Sequence, residues 1–331
     1  MRVAVLHNFV RETDGPDEQD NLRQAEAVAR ALTLLGHEVR LVPFPLDARV
    51  AIEGLRAFSP RAVFNLVETV EGLGRLGHFA PGILEELGLP FTGGGSFPMF
   101  VTADKLRTKR LLRAACLPTP AWFTLAAARR RKIALSGRFI VKPVYEHGSV
   151  GIDEDCVVAP ADSFALAEAA DRLSRGRECF AEAFVEGREF NISLLDGPGG
   201  LRVLPPAEIE FVGYGADKPR VVGYRAKWAE DSFEFAGTVR RFEFPASDAG
   251  LLSRIEAATR ACWPVFELSC YARVDFRIDE AGRPLVIDVN PNPCLTPDAG
   301  FPAAAERAGI GYEALVGAIL DRALAGPRGE G

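Results

Sequence analysis

Two aspartates in the stretch RVDFRIDEAGRPLVIDVNPNPCLTP, residues 273–297, carry the first chemistry legible in the chain. Val274 to Ile278 alternates apolar and charged residues, DEAG supplies a turn, and Pro284 to Val289 resumes an apolar run, the pattern of two paired strands. Pairing Ile278 with Leu285 sets Asp275 opposite Asp288. The two-residue period then puts Arg273 and Asn290 on that same face and turns Val274, Phe276, Ile278, Ile287 and Val289 the other way. Like charges directly opposite each other destabilise a sheet unless one is protonated, a cation pairs with them, or the face is wet. Two carboxylates and an amide oxygen are hard ligands of the kind magnesium accepts, above all when substrate phosphates complete its shell. A solvated outer face balanced by Arg273 and Arg277 satisfies the same pattern, and the hairpin alone leaves both readings open.

A second stretch, FIVKPVYEHGSVGI at 139–152, ends an apolar strand with Lys142 and follows it with a turn rich in Gly and Ser. Backbone N–H groups freed by Gly148 and Gly151 can wrap phosphate oxygens, and the lysine adds a point charge. A solvated lysine beside an ordinary surface turn fits as well. In CFAEAFVEGREFNISLL, Glu182 and Glu189 flank an apolar linker between two candidate lobes. Clefts between domains favour ligands, and exposed linker backbone can hydrogen-bond an adenine edge while a carboxylate takes ribose hydroxyls. A plain strand–turn–strand reads the same way. GLGRLG, Gly72 to Gly77, is a literal GxGxxG, but the region about 20 residues on is FTGGGSF, which lacks the acid a dinucleotide site needs. It reads as a loop at the carboxyl end of a sheet strand.

The elements that must position these residues follow from periodicity. RVAVLHN is a first strand, and Leu22, Ala25, Val28, Ala29, Leu32 and Leu35 recur at helical spacing up to Gly36, before a second strand, HEVRLVPF. With RAVFNLV as a strand and FAPGILEELG as a helix, residues 1 to about 95 form an open sheet of βαβ type, and TGGGS at 92–96 marks a boundary. A helix from Thr102 to Ala115 leads to strands RFIVKP, GIDEDCVV and CFAEAFV around a helix near 162–174. From REFNISLL onward β runs dominate until helices near 248–268 and 312–325, and GPRGEG is expected to fray.

At 331 residues with 48% hydrophobic composition the chain can bury more than one core. A net charge of −6 and a pI near 5.5 argue against nucleic-acid binding, and RRRK at Arg129 to Lys132 reads as a solvated helix end. No apolar segment approaches the roughly 20 residues that span a bilayer. MRVAVLHNF has too short an apolar core for a signal peptide, so the sequence reads as cytoplasmic. Cys116, Cys156, Cys179, Cys262, Cys270 and Cys294 show no CxxC spacing, which argues against structural zinc and a disulfide framework.

Taken together, LEELGLPFTGGG, TADKLRTKRLLRAACLPTP, FIVKPVYEHGSVGI, AEAFVEGREF, RAKWAEDSFEF and the 273–297 hairpin resemble the ATP-grasp ligases, and within them the D-alanine–D-alanine ligase group. The resemblance implies an ATP-grasp fold of α/β and α+β parts: a Rossmann-like domain at 1–97, a central small lobe at 98–185, and a C-terminal lobe at 186–331, the two lobes clasping ATP. It implies that Lys105 and Lys142 hold ATP phosphates under a loop of Glu146, Gly148, Ser149, Val150 and Gly151, with Ser149 among the catalytic set. Glu182 and the backbone of Ala183, Phe184 and Val185 would meet adenine, and Glu189 the ribose. Lys227 would contact the transferred γ-phosphate, and Arg273 would stabilise the oxyanion of a tetrahedral intermediate. Asp275, Asp288 and Asn290 would carry Mg2+, or Mn2+ in its place. The implied reaction joins a small carboxylic acid, an amino acid in the family, to an amine through an acyl phosphate, releasing ADP and phosphate. Neither nucleic acid nor membrane takes part, and the family suggests a homodimer.

The departures gather in the amino-acid site. Where the group has a Gly-Gly-x-Ser-x-Glu loop after its first strand, this chain has HNFVRETDG, with Glu12 the acid at hand. The family's loop serine falls on Gly148, the tyrosine after the lysine on Trp228, and the Ser-Leu pair that receives the second substrate's carboxylate on Ala299 and Gly300. The nucleotide machinery is therefore expected to be kept and the substrate pocket rebuilt, with D-alanine–D-alanine synthesis itself as the narrower alternative. A phosphotransferase would use the same nucleotide cradle, and a binding module would not need a complete metal set.

Overall fold

The computed structural model describes residues 1–197 and 199–326; the tail expected to fray lies, from residue 327 on, outside them. Three sheets follow one another along the chain. In the first, β1 (Arg2–Asn8), β2 (Glu38–Phe44) and β3 (Ala62–Asn65) run parallel in the order β2-β1-β3. α1 (Pro16–Leu34) starts with Pro at its first position and Asp17 and Glu18 in its first turn, where acids complement the helix dipole. α2 (Arg49–Phe58), which periodicity did not predict, and α3 (Phe79–Glu86) complete the layer.

The helix expected from Thr102 is two helices, α4 (Ser96–Ala103) and α5 (Lys105–Ala114). Asp104 divides them: its carboxylate accepts the N–H groups of Leu106 and Arg107 at 3.0 Å each, a capping geometry incompatible with a continuous helix at that residue. The break leaves Lys105 at the first position of α5.

The second sheet is antiparallel, with order β4-β7-β5-β6 from β4 (Trp122–Thr124), β5 (Phe139–Pro143), β6 (Val157–Val158) and β7 (Cys179–Ala183). α6 (Leu125–Arg130) and α7 (Ser163–Ser174) cover it, capped by Thr124 and Asp162. Most of the expected strand GIDEDCVV is instead a turn of 3-10 helix followed by two strand residues. Asp153, Glu154 and Asp155 stand in a row, so no apolar alternation runs through the segment.

The third sheet holds β8 (Glu189–Gly197), β9 (Gly200–Val203), β10 (Ala207–Phe211), β11 (Thr238–Arg241), β12 (Tyr271–Ile278) and β13 (Pro284–Asn290) in the order β11-β10-β8-β12-β13, with β9 also on β8. Short helices α8 (Tyr224–Trp228) and α9 (Phe233–Gly237) lie between β10 and β11, and α10 (Ala249–Val265), α11 (Gly300–Arg307) and α12 (Tyr312–Leu324) follow. Phe190, Ile192, Val274, Phe276 and Val289 form the core beneath this sheet. Leu315, Val316, Ile319 and Leu320 of α12 pack with Val3, Val28, Leu32 and Phe64, so the last helix shares a core with the first sheet.

Candidate active site

The β12–β13 hairpin places Asp275 opposite Asp288 and Arg273 opposite Asn290, as the sequence pattern predicts. Its far half is shifted: Ile278 pairs with Pro284 rather than Leu285, and Phe276 with Val286. One extra residue, Ile287, is accommodated as a bulge, which reverses the face of a side chain. Val286 therefore takes the core position expected for Ile287, and Ile287 lines a cavity.

That cavity, of about 870 Å3, lies where the three sheets meet. Every residue expected to hold nucleotide or metal or to act in catalysis lines it except Gly151, which stands against Pro143 and Arg177. Arg273 donates from Nε and Nη2 to the two oxygens of Asp275, at 2.8 and 3.0 Å. Burial alone would raise the Asp288 carboxyl; Lys105, His147, Arg273 and Lys142 more than offset it and hold Asp288 below its usual range. Asn290 Oδ1 accepts the N–H of Asn292 at 2.9 Å. Burial and the neighbouring Arg273 lower the Lys227 ammonium, against the pull of Asp275, Asp288 and Glu189. Two carboxylates thus share one wall with four cations, and the space between them suits a bound polyanion. Among the described residues no three His, Cys, Asp or Glu side chains converge to hold an ion by themselves. Asp275, Asp288 and the Asn290 oxygen fit a hard cation whose remaining ligands come from phosphate.

At the other end of the wall, Glu182 on β7 is buried between two ammonium groups, Lys142 on one oxygen and Lys109 on the other. Lys109 also donates to Thr119 Oγ1 at 2.7 Å. Its helical position on α5 gave no sign of this, since the pairing depends on how α5 docks on the second sheet. Ala183 and Phe184 use their N–H groups on Ala121 O and Arg138 O, both at 2.8 Å. Glu189 is ion-paired with Arg277 Nη2 at 2.7 Å, and Arg277 Nη1 donates to Gly187 O at 3.0 Å. Arg277, which a solvated face would have left in water, is 5% exposed and clamps the linker.

The loop after β5 carries three left-handed residues, Gly148, Ser149 and Gly151, with φ of 63°, 64° and 74°. It is fixed from two sides. Ser149 Oγ donates to Val222 O at 2.6 Å, and the Trp228 indole N–H donates to Gly148 O at 2.8 Å. From the segment after β3, Gly74 approaches so closely that a methyl there would sit 2.5 Å from Tyr145 O. The GLGRLG segment thus serves the site as a close-packed loop, with Gly72 and Leu73 on the cavity wall.

Glu12 is exposed and does not line the cavity. The acids that the first domain brings to the cavity are Asp17, Glu18 and Asp20, from the first turns of α1, and Glu68 after β3. Glu18 accepts from Asn8 Nδ2 at 2.9 Å and Thr69 Oγ1 at 2.8 Å. Asp17 Oδ1 accepts the Tyr224 hydroxyl at 3.0 Å, tying the first domain to α8. Burial, with Asp20 and Glu18 nearby, pushes the Glu68 carboxyl up to about 7.

Residues 111–321, more than half the chain, match the family described as the D-ala D-ala ligase C-terminus. The chain belongs to the D-alanine–D-alanine ligase family. It is similar over 98% of its length to the D-alanine–D-alanine ligase of Gloeobacter violaceus, with 33% identity and all of that protein covered. Over 90% of its length it is 31% identical to a Sinorhizobium fredii protein described as uncharacterized protein y4sG, 87% of which is covered. Its fold matches the D-alanine–D-alanine ligase of Bacillus anthracis complexed with ATP, with a TM-score of 0.71, 21% identity and 98% of each chain covered. The protein is therefore an ATP-dependent ligase of D-alanine–D-alanine ligase type with an ATP-grasp fold. Among the described residues no helix is long and apolar enough to cross a membrane, and the six cysteines are unpaired.

Proposed function

We propose that the cavity activates the carboxylate of a small amino acid with ATP and couples it to the amine of a second. The observation that carries this reading is the pairing of Asp275 with Asp288 on one wall with Arg273, Lys105, Lys142 and Lys227. Lys105 and Lys142 would neutralise the phosphates, and the loop of Glu146 to Val150 would cover them and exclude water. Ile287, Phe184 and Val185 supply the apolar slot for the base, Glu189 the ribose contact, and Glu182 a carboxylate held charged near the base's edge. A magnesium ion on Asp275, Asp288 and Asn290 would offset charge on the transferring phosphoryl group. Lys227 would follow that group, and Arg273, fixed by Asp275, would face the oxyanion when the amine attacks the acyl phosphate. No side-chain nucleophile is needed; rate comes from positioning and preorganised charge. Asp17, Glu18 and Glu68 offer the first amino acid's ammonium a negative environment. The three sheets correspond on this reading to domains at 1–97, 98–185 and 186–331.

The test is ADP release with MgATP against D- and L-amino acids, singly and in pairs, with mass spectrometry of the products. An amide formed in step with ADP is the expected result, and D-alanyl-D-alanine from D-alanine alone would identify the narrower activity. ADP release with a phosphorylated acceptor and no amide would mark a phosphotransferase.

A further inference from the structure

Beside the first turn of α11 the cavity wall contains a cation that the roles above leave unused. Arg240 lies on β11, with Thr238 two residues before it on the same cavity-facing side. Its Nη2 donates to Asp298 O at 2.8 Å, and a methyl added at Gly300 would lie 3.9 Å from its Nη1. The guanidinium therefore rests against the first turn of α11, beside Ala299 and Gly300. That carbonyl bond accounts for one of the five N–H donors of an arginine. The adjacent Arg241 is taken up by Glu208 and Glu210, whereas Arg240 makes no ion pair among the described residues.

Ala299 and Gly300 occupy the positions where the family resemblance places a serine and a leucine, and neither has a side chain that can donate a hydrogen bond. The helix they begin has no side-chain cap. Desolvation within the cavity lowers Arg240 from its usual value; the Asp298 carboxylate draws it back up and the Arg273 guanidinium pushes it down, so the two cations face a shared space. An anion bound between the two guanidinium groups would engage the remaining donors of Arg240, and a planar guanidinium matches a carboxylate by two parallel hydrogen bonds.

We propose that Arg240 binds the carboxylate of the amine-donating substrate and makes this enzyme select an amino acid as acceptor. The assignment rests on the ligase reading and adds to it the residue that replaces the missing hydroxyl.

Wild type, Arg240→Gln and Arg240→Lys are assayed for amide formation with amino acids of both hands as acceptors and with their carboxamides, which keep the amine and lose the negative charge. Wild type is expected to prefer acid to carboxamide, and Arg240→Gln to reduce that preference by about 10-fold or more, mainly through the acceptor KM. Arg240→Lys should restore part of it. If Arg240→Gln keeps the wild-type ratio of acid to carboxamide, or loses turnover of both equally, Arg240 does not read the carboxylate. If wild type forms no amide from any pair, the ligase reading itself falls, and the assignment with it.

Discussion

Replacing Lys109 with Met tests whether the buried carboxylate of Glu182 is held by two cations. The side chains of Lys109 and Glu182 are 3% and 2% exposed, and the ammonium also meets Thr119. Removing one member of a buried pair costs about 3–5 kcal/mol when the remaining charge is left uncompensated. Here Lys142 keeps its hold on the other oxygen of Glu182. Methionine fills most of the vacated volume, and Thr119 retains Val286 O as its acceptor at 2.7 Å. The loss should therefore fall to about 2–3 kcal/mol, which at about 2 °C per kcal/mol in a chain of this size lowers Tm by roughly 4–6 °C. The pH dependence gives an independent reading. Burial would raise Glu182, but Lys109 and Lys142 bring it below its ordinary value. Its contribution to stability is thus present above the unfolded-state pKa and is lost as pH falls through the lower folded value. With Lys109 gone the folded value rises, and acid unfolding should begin at higher pH. Calorimetry across pH 3–8 (roughly the range of carboxylate titration) measures both effects. A variant that melts within about 1 °C of wild type with the same acid limb would refute the two-cation account.

Gly187, between β7 and β8, should tolerate no side chain: an added methyl would lie 1.6 Å from Ile278 O, and Ile278 N–H is itself bonded to Arg188 O at 2.9 Å. Gly187→Ala is expected to lose more than about 4 kcal/mol and to accumulate as insoluble protein; soluble protein with the wild-type Tm would contradict the contact. Glu68 titrates near 7 in the folded chain against an ordinary 4.5, so the folded state holds the extra proton and stability declines as pH rises between those values. Glu68→Gln should therefore stabilise the protein at pH 8 (about one unit above the folded value) by up to roughly 3 kcal/mol and little at pH 4, and an equal gain at both would disprove the titration.

The sequence made the hairpin legible because two-residue alternation and a turn fix which side chains share a face. It could not reveal the bulge at Ile287, since a single inserted residue leaves the alternation intact on both sides. Lys105 entered only with the family resemblance, whereas Lys142 and the linker acids Glu182 and Glu189 were visible through their places at or beside strand ends. Their partners were not: Lys109 and Arg277 reach Glu182 and Glu189 across elements whose docking no local pattern encodes. Glu12 was named because it is the acid at hand in the loop after the first strand. The acids that line the cavity come from α1, where Pro16 starts the helix early enough to carry Asp17, Glu18 and Asp20 inward.

Because α12 completes the core of the first sheet, the order in which the chain is made and the order in which it can fold are different. Phe64 leaves the ribosome some 255 residues before Ile319, which at synthesis rates of about 5–20 residues per second is a delay on the order of ten seconds or more. During that interval the face of the nascent β1–β3 sheet that α12 later joins is covered by α1 without its last partner. The amino-terminal core is thus closed only when the last turns of helix arrive.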